Sequence, residues 1–390
     1  MESKKWINSN VLLISFSAFF ADLGYQTAVA LFPVFLVLFL KAPVYEFGIA
    51  NAVAFGVGSI FGYAGGVLGD RFNDKWIAVL GNALIPILSL TGLAISPTVA
   101  VILFASGWWA RNFRSPSRRK MLVESTNRKN RGRVFGFLHA LDIGGGMFSI
   151  VLLLVFLIHG LDYRVIFLIT AIPITISTVL LLFTRHTGLH GKEAPEKSAA
   201  KQTGVDRRTY KGIILATSLY GFSSYSLGFP ILTIAQSSNS LLGIGSYAVY
   251  LGVSAVSGYI IGSRVVNRVS SLAKTGYILS GIGTFGLAFA YLLGHNIILL
   301  YASVAVLGFS LGAIETLEPT IISFIKSIRE VGSGMGSLSA SRSIGIFLAN
   351  LIMGLLYVIS PFYSYAYAGI VSIAAGCIVL YSGRGFVSRG

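Results

Sequence analysis

Three groups of ionisable side chains inside long apolar runs of this sequence are candidates for chemistry, because a charge in such a position is costly and marks a functional site by default. The first is Asp22, about eleven residues into the first run, which is near the middle of a bilayer at about 1.5 Å per helical residue. Tyr25 and Gln26 follow at the i+3 and i+4 positions and share a helix face with it. Because an apolar environment favours the protonated form of a carboxyl group, Asp22 is a candidate proton carrier. The alternative is a structural hydrogen bond to a neighbouring helix.

Three arginines form the second group. Arg111, Arg114 and Arg118 are spaced so that their side chains share one helix face. Their guanidinium groups could bind an anionic solute through paired hydrogen bonds, or they could form a latch at the cytoplasmic end of the helix. A basic helix end that follows the positive-inside rule would explain Arg118 but not Arg111, which lies deeper in the apolar run.

The third group contains Glu315 and Glu318, which directly precede Pro319. Their carboxylates could contact a substrate or a divalent cation, since hard cations prefer carboxylate oxygens. In the second half of the chain they lie at almost the depth that Arg111 and Arg114 have in the first half. We therefore expect opposite charges of the two halves to meet when the inner side of the molecule closes.

The elements that must position these residues are predicted to be membrane-spanning helices. Of 390 residues, 54% are hydrophobic and only 11% are charged, whereas a soluble domain has about a quarter charged residues. A helix needs about 20 mostly apolar residues to cross a bilayer. The sequence therefore predicts an all-α membrane protein with twelve transmembrane helices. The predicted spans are 11–39, 46–69, 75–95, 98–122, 133–158, 164–184, 211–236, 240–263, 274–294, 297–325, 332–358 and 361–383.

The basic residues indicate how the chain is oriented. Most of the 30 Lys and Arg residues fall in alternate connections between the spans, as the positive-inside rule requires. The net charge of +16 is thus explained without nucleic acid binding. The connections on the opposite side are short, with Lys41 and Arg164 as their basic residues. We expect a protein of the plasma membrane with both termini in the cytoplasm.

The chain also repeats itself. Five residues of the fifth span recur in the eleventh at a constant offset of 200 positions: Gly132, Gly136, Leu138, Ala140 and Gly145 match Gly332, Gly336, Leu338, Ala340 and Gly345. The same offset relates Asp142 to Arg342, which have opposite charges. We predict an N-terminal six-helix bundle over 1–184, a cytoplasmic linker over 185–210 and a C-terminal six-helix bundle over 211–390. Internal repeats of this kind are typical of secondary transporters, whose solute site lies between the halves.

A short charged turn carries a family resemblance. The turn reads Gly66-x-x-x-Asp70-Arg71-x-Asn73-Asp74-Lys75. It resembles the loop signature of the major facilitator superfamily between helices 2 and 3, with Asn73 in place of the usual glycine and Asp74 in place of a basic residue. Residues 114–118 and 131–142 are similar to a prokaryotic permease branch of that superfamily. The resemblance implies two pseudo-symmetric six-helix bundles, in which helices 1, 4, 7 and 10 line the cavity.

The resemblance also implies roles for charged residues outside the cavity. The fifth and eleventh helices form the interface between the bundles in that family, which would place Asp142 and Arg342 there. The turn implies a gating role for Asp70, Arg71 and Lys75. We expect Asp70 to act as a latch at the start of the eleventh helix, where the helix dipole is positive.

These features predict a secondary active transporter that moves a small solute by alternating access, coupled to protons, with export slightly preferred. The alternatives are uptake of an anionic solute on the arginines and transport of a divalent cation on Asp22, Glu315 and Glu318. The glycine-proline signature of many exporters is absent from the fifth span.

An enzyme is not expected, because the sequence contains no catalytic or metal-binding motif, and a receptor is not expected because the outward loops are short. We expect no cofactor, no metal centre and no nucleic acid partner, and a monomer whose partners are the lipid bilayer, protons and the small-molecule or ion substrate.

Overall fold

The computed structural model of the chain describes residues 7–126, 131–185, 204–223, 227–264, 268–325 and 328–384, apart from some side chains within these ranges. Most of the described residues are helical, and none of them lies in a strand. The chain divides into two compact units. The first contains Met1–Ala42 and Val53–Lys192, and the second contains Pro43–Ala52 and Glu193–Gly390.

The N-terminal half of the chain forms eight α-helices. They are α1 (Ser9–Pro33), α2 (Val44–Asn51), α3 (Gly58–Arg71), α4 (Asp74–Leu84), α5 (Pro97–Glu124), α6 (Arg131–Ile158), α7 (Tyr163–Ile169) and α8 (Ala171–Leu182). Wider π-helical turns continue α1 over Val34–Phe39 and α2 over Ala52–Gly56, and a 3₁₀ segment, Ile85–Leu93, continues α4. Pro33, which has no N–H to donate to the helical ladder, is the last residue of α1, and the π-helical turns begin at the next residue.

The C-terminal half forms another eight α-helices. They are α9 (Gly204–Ser223), α10 (Gly228–Ser237), α11 (Ser240–Arg264), α12 (Arg268–Ser271), α13 (Leu279–Leu292), α14 (Ile297–Ile325), α15 (Ile328–Ile359) and α16 (Pro361–Ser382). A π-helical segment, Leu272–Ile278, joins α12 to α13.

Ten helical stretches within the described residues are long and apolar enough to cross a membrane. They coincide with ten of the twelve predicted spans. The fourth predicted span is α5, whose second half is basic, and the seventh corresponds to α9 and α10, which are separated by residues outside the described ranges.

Close helix packing positions α5, which carries the three arginines. A Cβ atom added to Gly65 of α3 would overlap the backbone carbonyl of Phe113 in α5. Only glycine permits this approach, because any side chain would force the two backbones apart. Arg114 follows Phe113 directly, so this contact fixes the depth of the arginines in the first unit.

A second close approach positions α15 in the second unit. The backbones of Gly345 in α15 and Gly221 in α9 are so near that a Cβ on Gly345 would lie 2.6 Å from the Cα of Gly221. Arg342 lies one turn before Gly345 in α15. The two glycines therefore allow α15 to pack closely against α9, one turn away from Arg342.

Candidate functional site

Asp22 is buried in α1, with 4% of its surface exposed. The structure brings the three residues Asp22, Tyr25 and Gln26 together, as their spacing predicts. The Tyr25 hydroxyl donates to Asp22 Oδ1 over 2.5 Å, and Gln26 Nε2 donates to the same oxygen over 3.4 Å. The other carboxyl oxygen, Oδ2, has no hydrogen-bond partner among the described residues.

Arg111 of α5 reaches the same tyrosine. Its Nη2 donates to the Tyr25 hydroxyl over 3.5 Å, and its guanidinium carbon lies 5.4 Å from the Tyr25 ring centroid and 5.0 Å from that of Trp108. Because the Tyr25 hydroxyl accepts from Arg111 and donates to Asp22, one hydrogen-bonded chain links the cation to the carboxyl. The two aromatic faces add cation–π stabilisation to the guanidinium.

Arg114 is fully buried, with 0% of its surface exposed. Its Nη1 donates to Asn82 Oδ1, and Asn82 in turn donates to the hydroxyls of Ser177 over 3.1 Å and Thr178 over 2.8 Å. The Nε and Nη2 atoms of Arg114 have no partner in the part of the chain that is described. The partner of this buried cation is therefore a neutral amide.

Arg118, one turn further along α5, forms an ion pair with Asp142 of α6 at 3.6 Å. Asp22 lies within electrostatic range of Asp142, Arg111 and Arg118. We call Asp22, Tyr25, Arg111, Arg114, Arg118 and Asp142 the arginine cluster. Its described side chains combine three guanidinium groups with two carboxyl groups, which leaves one excess positive charge when both carboxyls are ionised.

A second charged group, the glutamate cluster, lies in the second unit and consists of Glu315, Glu318, Arg342, Thr217 and Tyr277. Arg342 of α15 donates from Nη1 to Glu315 Oε1 and from Nη2 to Glu318 Oε2. Glu318 Oε1 accepts from the Thr217 hydroxyl over 2.5 Å and from the Tyr277 hydroxyl. Glu318 is 0% exposed, whereas the side chain of Glu315 is 48% exposed.

The ion pairs of both clusters form within a unit. Sequence reasoning placed Glu315 and Glu318 opposite Arg111 and Arg114, and the structure gives the glutamates a different partner in Arg342. Asp142 likewise pairs with Arg118. The expected pairing between halves stays a prediction.

Sequence reasoning missed the neutral partners of the buried charges. Asn82, Thr217 and Tyr277 lie at scattered positions in apolar runs, where amides and hydroxyls are common. An asparagine within a predicted span, as at position 82, is the usable signal for such a partner, because a buried amide must be hydrogen-bonded.

The charged turn has contacts of its own within the first unit. Asn73 caps α4 by accepting from the backbone N–H groups of Lys75 at 3.0 Å and Trp76 at 3.3 Å, which gives a local reason for asparagine where the signature has glycine. Arg71 and Lys75 rest against aromatic rings, at 5.6 Å from Phe72 and 5.4 Å from Trp76. The gating role of Arg71 and Lys75 stays a prediction.

Of the two acidic residues of the turn, the structure describes the side chain of Asp74 but not that of Asp70. Asp74 forms an ion pair with Lys120 of α5 at 2.8 Å. The side chain of Asp70 lies outside the described part, as do the side chains at the start of α15, so the latch stays a prediction.

Comparison with known proteins agrees with this architecture. The sequence model of the Major Facilitator Superfamily matches residues 14–273. The chain is 24% identical to an uncharacterized MFS-type transporter of Methanocaldococcus jannaschii, over 97% of its own length and 96% of that protein.

Two solved structures share the fold. One is a POT family transporter in complex with a thioalcohol-conjugated peptide, with a TM-score of 0.76, 13% identity and 95% of each chain covered. The other is a D-xylose-proton symporter, with a TM-score of 0.74, 14% identity and 98% of each chain covered. The predicted class, an all-α membrane protein with twelve helices in two pseudo-symmetric bundles, is confirmed, and the protein is a transporter rather than an enzyme. The chain therefore belongs to the major facilitator superfamily of multi-pass membrane transporters.

Proposed function

We propose that this protein is a proton-coupled transporter of a small organic solute in the plasma membrane, with both termini in the cytoplasm and export as the preferred direction. Asp22 is the proton carrier in this proposal. The observation that supports it most is the unequal environment of the two Asp22 oxygens. Oδ1 accepts from Tyr25 and Gln26, while Oδ2 has no partner among the described residues and is the oxygen on which a proton would reside.

Protonation of Asp22 changes the charge of the whole arginine cluster. With Asp22 ionised, Arg111 has a nearby counter-charge, to which it is linked through the Tyr25 hydroxyl. With Asp22 neutral, that counter-charge is lost and the repulsion among the three arginines of α5 is no longer offset by it, and charges interact strongly in a low dielectric. Proton binding thus alters the energy of the helix that carries the arginines. This is how we propose that a proton and a conformational change are coupled.

The glutamate cluster has a supporting role in this proposal. The fully buried Glu318 forms an ion pair with Arg342 and accepts hydrogen bonds from Thr217 and Tyr277. One polar network therefore joins α9, α14 and α15. The more exposed Glu315 is the carboxylate that can exchange Arg342 for another partner during the transport cycle. We propose that Glu315 acts in gating or substrate contact and that Glu318 keeps Arg342 in place.

The two alternatives differ in their support. Divalent cation transport on Asp22, Glu315 and Glu318 needs free oxygens on all three carboxylates, and Glu318 does not offer one, because both of its oxygens accept hydrogen bonds from described side chains. Transport of an anionic solute is favoured by the donors of Arg114 that lack a partner, and we keep it as the second candidate.

The test is a proton-flux assay in proteoliposomes that contain a pH-sensitive dye. Classes of solute are added with and without an imposed pH gradient, to the wild type, to Asp22→Asn and to Asp162→Asn. The last variant is the matched control, because Asp162 is an exposed aspartate that caps α7 through the backbone N–H of Arg164.

We expect a solute that changes the internal pH with the wild type and with Asp162→Asn but not with Asp22→Asn. A folded Asp22→Asn variant that moves protons as fast as the wild type would contradict the assignment of Asp22. The thermal unfolding midpoint of the purified variant establishes that it is folded.

A further inference from the structure

Buried donors without a partner are concentrated in the arginine cluster. Among the described side chains, five guanidinium nitrogens of this cluster are buried and lack a hydrogen-bond partner: Nε of Arg111, Nε and Nη2 of Arg114, and Nε and Nη1 of Arg118. Buried polar groups of folded proteins nearly always have a partner, and the exceptions call for an explanation such as a bound ion. All five groups are donors, and they outnumber the two unpartnered acceptor oxygens among the described side chains of the cluster, Asp22 Oδ2 and Asp142 Oδ1.

The charges of the cluster are also unbalanced. Arg114 is fully buried, carries a permanent charge and has the neutral Asn82 as its hydrogen-bond partner. Arg111 and Arg118 both repel it electrostatically, and Asp22 attracts it less strongly than either of them repels it. Asp142 is paired with Arg118 and is itself a quarter exposed, so it compensates Arg114 weakly. A water molecule could accept the hydrogen bonds of Arg114, but it could not offset the charge.

We propose that Arg114 and Arg118 bind an oxyanion group, a carboxylate or a phosphate, on the transported solute. The two residues lie one turn apart on one face of α5, and each has two buried guanidinium nitrogens without a partner among the described side chains. A guanidinium group matches the two oxygens of a carboxylate or phosphate with two parallel N–H donors, and charge-assisted bonds of this kind are the strongest available to the site. The inference rests on the proposed transport function and deepens it: it takes up the anionic solute and names the group on that solute and the two residues that bind it.

The isosteric change Asn82→Asp tests the site by adding a negative charge of the protein itself next to Arg114. It places a carboxylate where the amide now accepts from Arg114 Nη1, and so supplies the counter-charge that the oxyanion would provide. In buffer without oxyanions this variant should therefore unfold at a higher temperature than the wild type. Its half-saturating oxyanion concentration should rise about tenfold, which corresponds to about 1.4 kcal/mol of lost binding free energy.

Two further variants make the result specific. Asp142→Asn removes the partner of Arg118 and should lower the half-saturating oxyanion concentration, the opposite of the effect of Asn82→Asp. Asn51→Asp is the control for an added buried charge, because Asn51 is as deeply buried as Asn82, at 1% against 0% exposed, but belongs to the second unit. It should lower the unfolding midpoint and leave the response to oxyanions unchanged.

The measurement is the thermal unfolding midpoint of the purified, detergent-solubilised protein, titrated at constant ionic strength with acetate, with inorganic phosphate or with chloride. We expect acetate or phosphate to raise the midpoint of the wild type above the chloride reference, and the more effective of the two identifies the group on the solute. The inference is wrong if neither oxyanion exceeds chloride, or if Asn82→Asp responds like the wild type. Oxyanion binding without any proton flux would refute the proposed coupling alone, and proton flux without an oxyanion response would refute this inference alone.

Discussion

Glu315 and Glu318 provide an internal comparison, because both pair with Arg342 but differ in burial. Glu318 is 0% exposed and accepts from Thr217, Tyr277 and Arg342, whereas the side chain of Glu315 is 48% exposed. The perturbation is the same in both cases: Glu318→Gln and Glu315→Gln each remove one negative charge and keep the shape of the side chain. The two variants should therefore differ through their environment alone.

The magnitudes follow from the burial of each ion pair. Breaking a buried ion pair costs about 3–5 kcal/mol, because the remaining charge is left without compensation in a low dielectric. Glu318→Gln should fall at the lower end, about 3 kcal/mol, since Arg342 keeps its ion pair with Glu315 and the amide oxygen can still accept from Thr217 or Tyr277. An exposed ion pair contributes about 0–1 kcal/mol, so Glu315→Gln should remain within that range.

The assay is the free energy of unfolding in mixed micelles, measured by titration with a denaturing detergent. Arg342→Met serves as a second perturbation, because it leaves the buried Glu318 carboxylate uncompensated, and the double variant with Glu318→Gln should recover part of the loss. Equal destabilisation by Glu315→Gln and Glu318→Gln would refute the reasoning. So would a double variant whose loss is the sum of the two single losses.

Two further predictions concern the contacts that position the arginine cluster. Gly65→Ala should destabilise the protein by about 1–3 kcal/mol, because the added methyl group overlaps the Phe113 carbonyl, and a small-to-large change in a packed interface has this cost. Gly62→Ala is its control, since the new methyl would lie 3.6 Å from the nearest atom, the carbonyl oxygen of Asn112, and should cost less in the same detergent titration. Asp74→Lys combined with Lys120→Asp should recover the stability that either single charge reversal loses, because the two side chains form an ion pair at 2.8 Å; a double variant less stable than both single variants would contradict this.

The sequence alone predicted the fold class because hydropathy and helix length obey strong constraints in a membrane. The positions of the spans follow from runs of about 20 apolar residues, and ten of them recur in the structure as helices able to cross a bilayer. The resemblance carried by the charged turn at 66–75 led to the correct superfamily. The π-helical segments Val34–Phe39, Ala52–Gly56 and Leu272–Ile278 were not predicted, since a shift in backbone hydrogen bonding leaves little trace in hydropathy.

The candidate site was predicted in part. The spacing of Asp22, Tyr25 and Gln26 was sufficient to bring them together, because it depends on the geometry of a single helix. The partner of Arg342 depends instead on how α14 and α15 pack, which no local pattern encodes. The internal repeat showed that Asp142 and Arg342 occupy equivalent positions, but it gave no information about their partners. Each of them forms an ion pair with a residue of its own unit.

The most direct test of the central claim, that Asp22 couples solute movement to protons, compares two transport modes in the same proteoliposomes. Exchange of labelled for unlabelled solute requires substrate binding and the conformational change, whereas accumulation driven by a pH gradient also requires the proton to bind and leave. We predict that Asp22→Asn retains exchange and loses gradient-driven accumulation. Accumulation at the wild-type level by Asp22→Asn would contradict the claim.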